Sequence, residues 1–249
     1  MSNIRERCFL AACVIYCCAA AYRLLKLIID PLLLRDSSLY LSLSESWLET
    51  NDYTVLLGET TTVPPLHLFL IKEMMKMGFS SEPGGRSIAI VLGSLIPVLG
   101  YYTVLKLFKN KRLATISAVL FVTHPTLVSY SIQPLRENLY LACLGLTIIE
   151  LIYAIRNNKS YNWFLSGCCI SLTFFCRYEA IEFLFLGIVY LSYWLFSRKL
   201  KATQFACFIC LFITGFVIAS LFLFSLIRYD VSFVKKIPSY VLRIKTWHD

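Results

Sequence analysis

Charge is scarce in this sequence. Only 16% of its 249 residues are Asp, Glu, Lys or Arg, whereas a water-soluble domain uses about a quarter. That shortage excludes an ordinary soluble globular domain. Cysteine is missing from the polar segment 30–86, although the chain has ten elsewhere, all inside apolar runs. A disulfide framework of the secreted type would place them in loops, so that class is excluded too. Cys207-x-x-Cys210 has zinc or redox spacing. It lies mid-run with no second pair or histidine near it, and reads as small packing or lipid-facing residues. Also absent are internal repeats, low-complexity tracts and any basic stripe interleaved with aromatics. Without such a stripe, the net charge of +9 does not indicate a nucleic-acid partner.

What is present is apolar and comes in blocks. Hydrophobic residues make up 58% of the chain, and mean hydropathy is +0.68. Long blocks of this kind define an integral membrane protein. Seven runs are long enough to cross or nearly cross a bilayer: residues 8–29, 88–108, 113–130, 139–155, 163–176, 181–196 and 205–227. The run 163–176 is the weakest, because an untilted span needs about 20 residues. The first run follows Arg5 and Arg7 and contains Ala19-Ala20-Ala21, which imitates a signal-peptide cleavage site. Its helical character continues to Ile29 if Arg23 and Lys26 snorkel, so it reads as a retained anchor.

The connectors orient the chain. Lys109, Lys111 and Arg112 follow the second run, Arg156 and Lys159 the fourth, and Arg198, Lys199 and Lys201 the sixth. With these and the amino terminus in the cytoplasm the positive-inside rule is met four times. Arg23, Lys26 and the basic carboxyl-terminal tail dissent. The segment 30–86, the turn 131–138 and the junction 177–179 then face outward, and 30–86 holds most of the acidic residues. That segment predicts two interfacial helices. In SSLYLSLSESWLE, Leu39, Leu43 and Trp47 recur every four residues, an amphipathic helix. Pro64-Pro65 opens a second, ending near Gly78. The expected fold is therefore all-α, about seven transmembrane helices plus two interfacial ones, in a single membrane domain over 1–249.

The candidate functional residues lie on the outward side. Asp36 opens the first amphipathic helix, and as residues alone it reads most simply as an N-cap. Tyr40, four residues on, falls on the same face. Glu137 begins a span beside Arg136, where an interfacial ion pair is as good a reading as a functional one. His67 follows the proline pair, and Arg177 ends a span in CRYEA. His124, in FVTHPTL, is a polar residue inside a run, and a hydrogen bond to a neighbouring helix is its expected role. His248 is in the tail. Asn158-Lys159-Ser160 is a glycosylation sequon on the inward side, expected to be silent.

The stretches RDSSLYLSLSESWL, VPPLHLFLIK, the arginine-led GRSIAIVLGSLIPVLGYY, PLRENLYL and CRYEAIEF occur in an order that resembles the GT-C membrane glycosyltransferases. The likeness is to the protein O-mannosyltransferase and aminoarabinose-transferase branch, over residues 32–183. It implies inverting transfer of a sugar from a polyprenyl-phosphate donor to a hydroxyl acceptor on the extracytoplasmic face. It also implies Asp36 as catalytic base and Glu137 as the acid of the second outer loop, the two sharing a divalent cation. Tyr40, His67, Arg136 and Arg177 are the implied substrate contacts. The membrane would be the cytoplasmic one of a bacterium or the endoplasmic reticulum of a eukaryote. Two positions depart from the family's pattern: Ser37 stands where a glutamate is frequent, and Val63 where one branch has lysine. The competing reading is a non-catalytic membrane subunit or a transporter with the same topology. Few polar residues lie deep in the runs, which argues against transport.

Overall fold

The computed structural model describes residues 2–50, 55–56, 59–60, 63–157, 159–197 and 200–227. Among them the fold is ten α-helices, one short 3₁₀ turn and one antiparallel pair of two-residue strands. Helix α1 is Ser2–Ile29, α2 Arg35–Thr50, α3 Pro65–Lys76, α4 Ser81–Phe108, α5 Lys111–Thr123, α6 Pro125–Ser131, α7 Arg136–Asn157, α8 Ser160–Cys176, α9 Ile181–Phe196 and α10 Ala202–Ile227. Strands β1 (Val55–Leu56) and β2 (Glu59–Thr60) lie between α2 and α3. His248, Asn158 and Asp52 lie outside the described residues.

Five helices are long and apolar enough to span a membrane, or six if α5 and α6 count as one bent span. About seven spans were expected, and two of those runs differ. The run 113–130 breaks between Thr123 and Pro125, where the axis bends by 58°. Pro125 cannot donate the backbone bond that would continue the helix. His124 stands at the break and restarts the chain: its Nδ1 accepts from the Leu127 N–H at 3.4 Å, capping α6. The polar side chain expected to reach a neighbouring helix thus serves its own. The other difference is α8. At 17 residues it rises only about 26 Å, short of the length a span needs unaided.

Helix α4 starts at Ser81, seven residues before the expected run. Glu82 and Arg86 form an ion pair at 2.8 Å across its first turns, which keeps a charged first turn helical. At its far end Lys109 is left-handed (φ 53°) and closes the helix. Asn110 then caps α5, its side-chain oxygen accepting from the N–H groups of Arg112 and Leu113. Apolar side chains stay exposed along α1, α9 and α10, including Phe9, Leu10, Val189, Phe196, Leu221 and Phe222. In a chain rich in spans these are lipid-facing surfaces.

Both helices expected in the 30–86 segment are present. The stripe that α2 buries is Ser37, Tyr40, Leu41, Leu43, Ser44 and Trp47, whereas Leu39, expected on the apolar face, is exposed. The correction has a physical reason. Tyr40, Leu43 and Trp47 enter one core with Leu66 and Leu68 of α3, Leu139 of α7, Phe175 of α8 and Leu223 of α10. That core, rather than a flat lipid surface, sets the rotation of α2. A second core surrounds Trp163, with Phe208 stacked on it at 5.9 Å and Phe212 edge-on at 5.8 Å.

Candidate functional site

The short loop after α1 and the turn between α6 and α7 are held together by a polar clasp. Gln133, 4% exposed, donates its amide to the Leu32 carbonyl at 2.6 Å. Its carbonyl oxygen accepts from the Leu34 N–H and the Ser37 hydroxyl, both at 3.2 Å. Arg86 donates to the carbonyls of Ile132 and Pro31, one on each segment. Asn138, also buried, donates to the Tyr130 carbonyl at 2.8 Å and to the carbonyls of Gln133 and Leu135, fixing the turn from the α7 side. Backbone oxygens of the loop and the turn that lack a helical partner are thereby given donors. The clasp brings the start of α2 beside the start of α7.

Between those two helix starts lies a cleft of about 300 Å³, lined by Leu34, Arg35, Asp36, Tyr130, Leu135 and Glu137. Asp36 and Glu137, separated by a hundred residues in sequence, therefore share one cavity. Asp36 is exposed in the first turn of α2. It is not the N-cap: the helix begins at Arg35, and the Leu34 carbonyl accepts the first backbone bond, from the Ser38 N–H. Its carboxylate still complements the helix dipole, and it is free of the hydrogen bond that a capping side chain makes. Glu137 is held differently. Its Oε1 lies 3.7 Å from Arg136 Nε, and its Oε2 is buried with no hydrogen-bond partner.

Tyr40 connects the remaining residues. Its ring is buried one turn below Asp36, with the Arg136 guanidinium 5.9 Å above it and His67 edge-on at 5.7 Å. Burial pushes the phenol pKa above its usual 10, and the charges of Arg136, Glu137, Asp36 and Arg177 all act on it. Arg177 ends α8 in extended conformation, pairs with Glu179 at 3.4 Å and stacks over Tyr140 at 5.3 Å. It is in electrostatic reach of Tyr40 and does not line the cleft.

His67 is placed otherwise than a substrate-contacting residue would be. It is 1% exposed, its Nε2 donates to the Pro134 carbonyl at 3.1 Å, and its Nδ1 has no partner. Burial drives its pKa down to about 4, so the ring is neutral. Pro65 at the start of α3 aims it inward, where it supports Tyr40 and the clasp turn from below. The sequence singled out Asp36, Tyr40, Arg136 and Glu137, which the fold places around one cleft and the tyrosine beside it, and it carries no local signal for Gln133 or Asn138. Ser37 is fully buried and donates its hydroxyl to Gln133, so this position serves as packing and a hydroxyl donor.

A metal centre can be tested on the same side chains. Among the described residues no group of three or more His, Cys, Asp or Glu side chains is arranged to hold an ion. Two carboxylates facing one cleft, one with an unpartnered buried oxygen, fit a cation that takes the rest of its shell from water or phosphate oxygens, as magnesium does.

A many-helix membrane fold that brings Asp36, Arg136, Glu137 and Arg177 around one tyrosine fits a GT-C membrane glycosyltransferase. The chain belongs to the dolichyl-phosphate-mannose-protein mannosyltransferase family, whose model matches residues 62–229, about two thirds of its length. The match contains Arg86, Gln133, Arg136, Glu137 and Arg177 and begins after Asp36 and Tyr40. No curated protein matches the chain.

Proposed function

We propose that the protein transfers a sugar from a polyprenyl-phosphate donor to a hydroxyl acceptor on the extracytoplasmic side of a membrane. The observation that carries this reading is the cleft shared by Asp36 and Glu137, with Arg136 and Arg177 around the same tyrosine, in a chain of this family. Asp36 has the exposure that a base needs to meet an incoming hydroxyl. It takes the hydroxyl proton as the oxygen bonds to the anomeric carbon and the bond from that carbon to the phosphate oxygen breaks. One displacement inverts the anomeric centre. The leaving phosphate gains charge, and Arg35 on the cleft wall, with Arg136 and Arg177 around the neighbouring Tyr40, supplies cations to stabilise it. Glu137, with Asp36, would hold a divalent cation, which when bound supplies positive charge to that phosphate. Tyr40 stays a neutral hydrogen-bond donor beside both carboxylates, and His67 positions it.

The test is sugar transfer from a radiolabelled polyprenyl-phosphate mannose to extracted acceptor lipids and proteins by the protein in nanodiscs. Asp36→Asn is expected to lower the rate by about 10²–10⁴-fold, the usual worth of a general base. Normal transfer by Asp36→Asn would remove the assigned base. Failure of the wild type to bind any polyprenyl-phosphate sugar would remove the whole reading.

A further inference from the structure

Ten cysteines are spread over this chain, and among the described residues one pair is in sulfur-to-sulfur contact. Cys143 of α7 and Cys176, the last residue of α8, have their Sγ atoms 3.9 Å apart. Both are buried in the core shared with Tyr40, Leu139 and Phe175. We propose that Cys143 and Cys176 form a structural disulfide, a covalent staple between α7 and α8 beneath the candidate site. This inference does not use the proposed transfer reaction and shares with it only the orientation read from the basic connectors.

The placement favours the bond. A disulfide needs its sulfurs at about 2.05 Å, so about 2 Å must close, and each sulfur swings on its own Cα–Cβ bond. Neighbouring helices already hold the two residues face to face: the Thr147 and Thr173 hydroxyls are 2.9 Å apart one turn further along the same seam. Cys176 is also next to Arg177, at the end of the bundle where the polar residues gather. In the orientation set by the basic connectors, that end faces an oxidising compartment, where such bonds form and persist. The pairing is a two-electron oxidation. The two thiols lose two hydrogens in all, and an oxidant carrying a disulfide accepts both electrons and both protons, becoming two thiols. Burial of the finished bond shields it from reductants, while the end position of Cys176 gives an oxidant access before α8 seats against α7.

The consequence lies one layer above the staple. Cys143 is seven residues, about 10 Å along the helix, from Arg136, and Tyr140, under the Arg177 guanidinium, is one turn from Cys143. The bond fixes the α7 end that carries Arg136 and Glu137 against the α8 end that carries Arg177.

Peptide mapping by mass spectrometry tests it on the full chain in nanodiscs, prepared without reductant and alkylated with iodoacetamide under denaturing conditions. One sample is taken as prepared and one after oxidised glutathione. The expected result is a linked Cys143–Cys176 peptide, two hydrogens lighter than its separate parts, in either sample. It disappears on reduction and is absent from Cys143→Ser and Cys176→Ser. Separate alkylation of both cysteines in both wild-type samples overturns the proposal, as does a link from either one to a different cysteine. Because the readout is on the wild-type chain, it holds even where a serine variant folds poorly.

Discussion

At the scale of single residues, the buried imidazole of His67 makes a measurable claim. Its pKa is held near 4, against 6.5 when exposed, chiefly by burial. An unfolded chain takes up a proton on this ring below about pH 6.5, while the folded chain refuses it until about 4. The contribution to stability is therefore complete above pH 6.5 and is lost as pH falls through that window. The full difference corresponds to about 3 kcal/mol. Thermal unfolding at pH 7 and at pH 4.5 should show a larger drop in the wild type than in His67→Gln, whose amide can still donate to the Pro134 carbonyl. Parallel drops in the two proteins would show that the ring is not the titrating group. The residues around it show what could be read in advance. An aspartate at the head of an amphipathic segment and an acid at the head of a span are local signals, and Asp36 and Glu137 do line one cleft. Gln133 has no such signal. Its role depends on partners about a hundred residues away, and a lone glutamine before a proline carries no periodicity that announces them.

Among the described helices, α8 and α10 cross with their backbones in close contact. A Cβ built on Gly167 collides with the backbone carbonyl of Phe212 and lies 2.8 Å from the Phe216 nitrogen. One built on Gly215 collides with the Phe164 carbonyl. Ser171 and Ser220 hydroxyls meet at 2.9 Å across the same seam, and the Cys168 thiol donates to the Gly215 carbonyl at 3.4 Å. Small residues and short hydrogen bonds are how helices associate where lipid removes the hydrophobic drive. Backbone cannot move aside as a side chain can, so Gly167→Ala and Gly215→Ala are each expected to cost about 1–3 kcal/mol. That corresponds to roughly 2–12 °C in the unfolding midpoint for a chain of this size, read by thermal unfolding in detergent. An unchanged midpoint in both variants would mean the helices do not cross at these glycines. This seam also explains how the weakest run holds. The run 163–176 is short against a bilayer, as expected, and α8 is secured on both sides by α7 and α10. The bend at His124–Pro125 was hidden in the sequence. Hydropathy continues through the break, and only the proline marks it. By contrast, the start of α3 was legible, because Pro64-Pro65 fixes a helix start by backbone geometry alone.

Across the whole molecule, the two ends of the bundle are chemically opposed. At one end Gln133, Arg86 and Asn138 knit the α1–α2 loop to the α6–α7 turn, and the acidic Asp36 and Glu137 open onto a cleft. At the other, Arg156 of α7 donates to the carbonyls of Lys106 and Leu107, where α4 ends, and Lys109, Lys111, Arg112, Lys159 and Lys201 are exposed. These bonds join the α4–α5 and α7–α8 connectors, so basic segments read one by one from the sequence lie together at one end. Positive connectors are retained on the cytoplasmic side during insertion, and that rule predicts the cleft outward and the amino terminus inward. The orientation can be measured with a membrane-impermeant maleimide on cells expressing Glu49→Cys or Lys111→Cys, both at exposed positions. Labelling above the wild-type background is expected for Glu49→Cys from the extracytoplasmic side of sealed membranes, and for Lys111→Cys only after they are opened. A carrier lipid presented on the extracytoplasmic face can meet Asp36 only in this orientation, so the reverse labelling pattern would place the cleft away from the donor and refute the proposed reaction together with the topology.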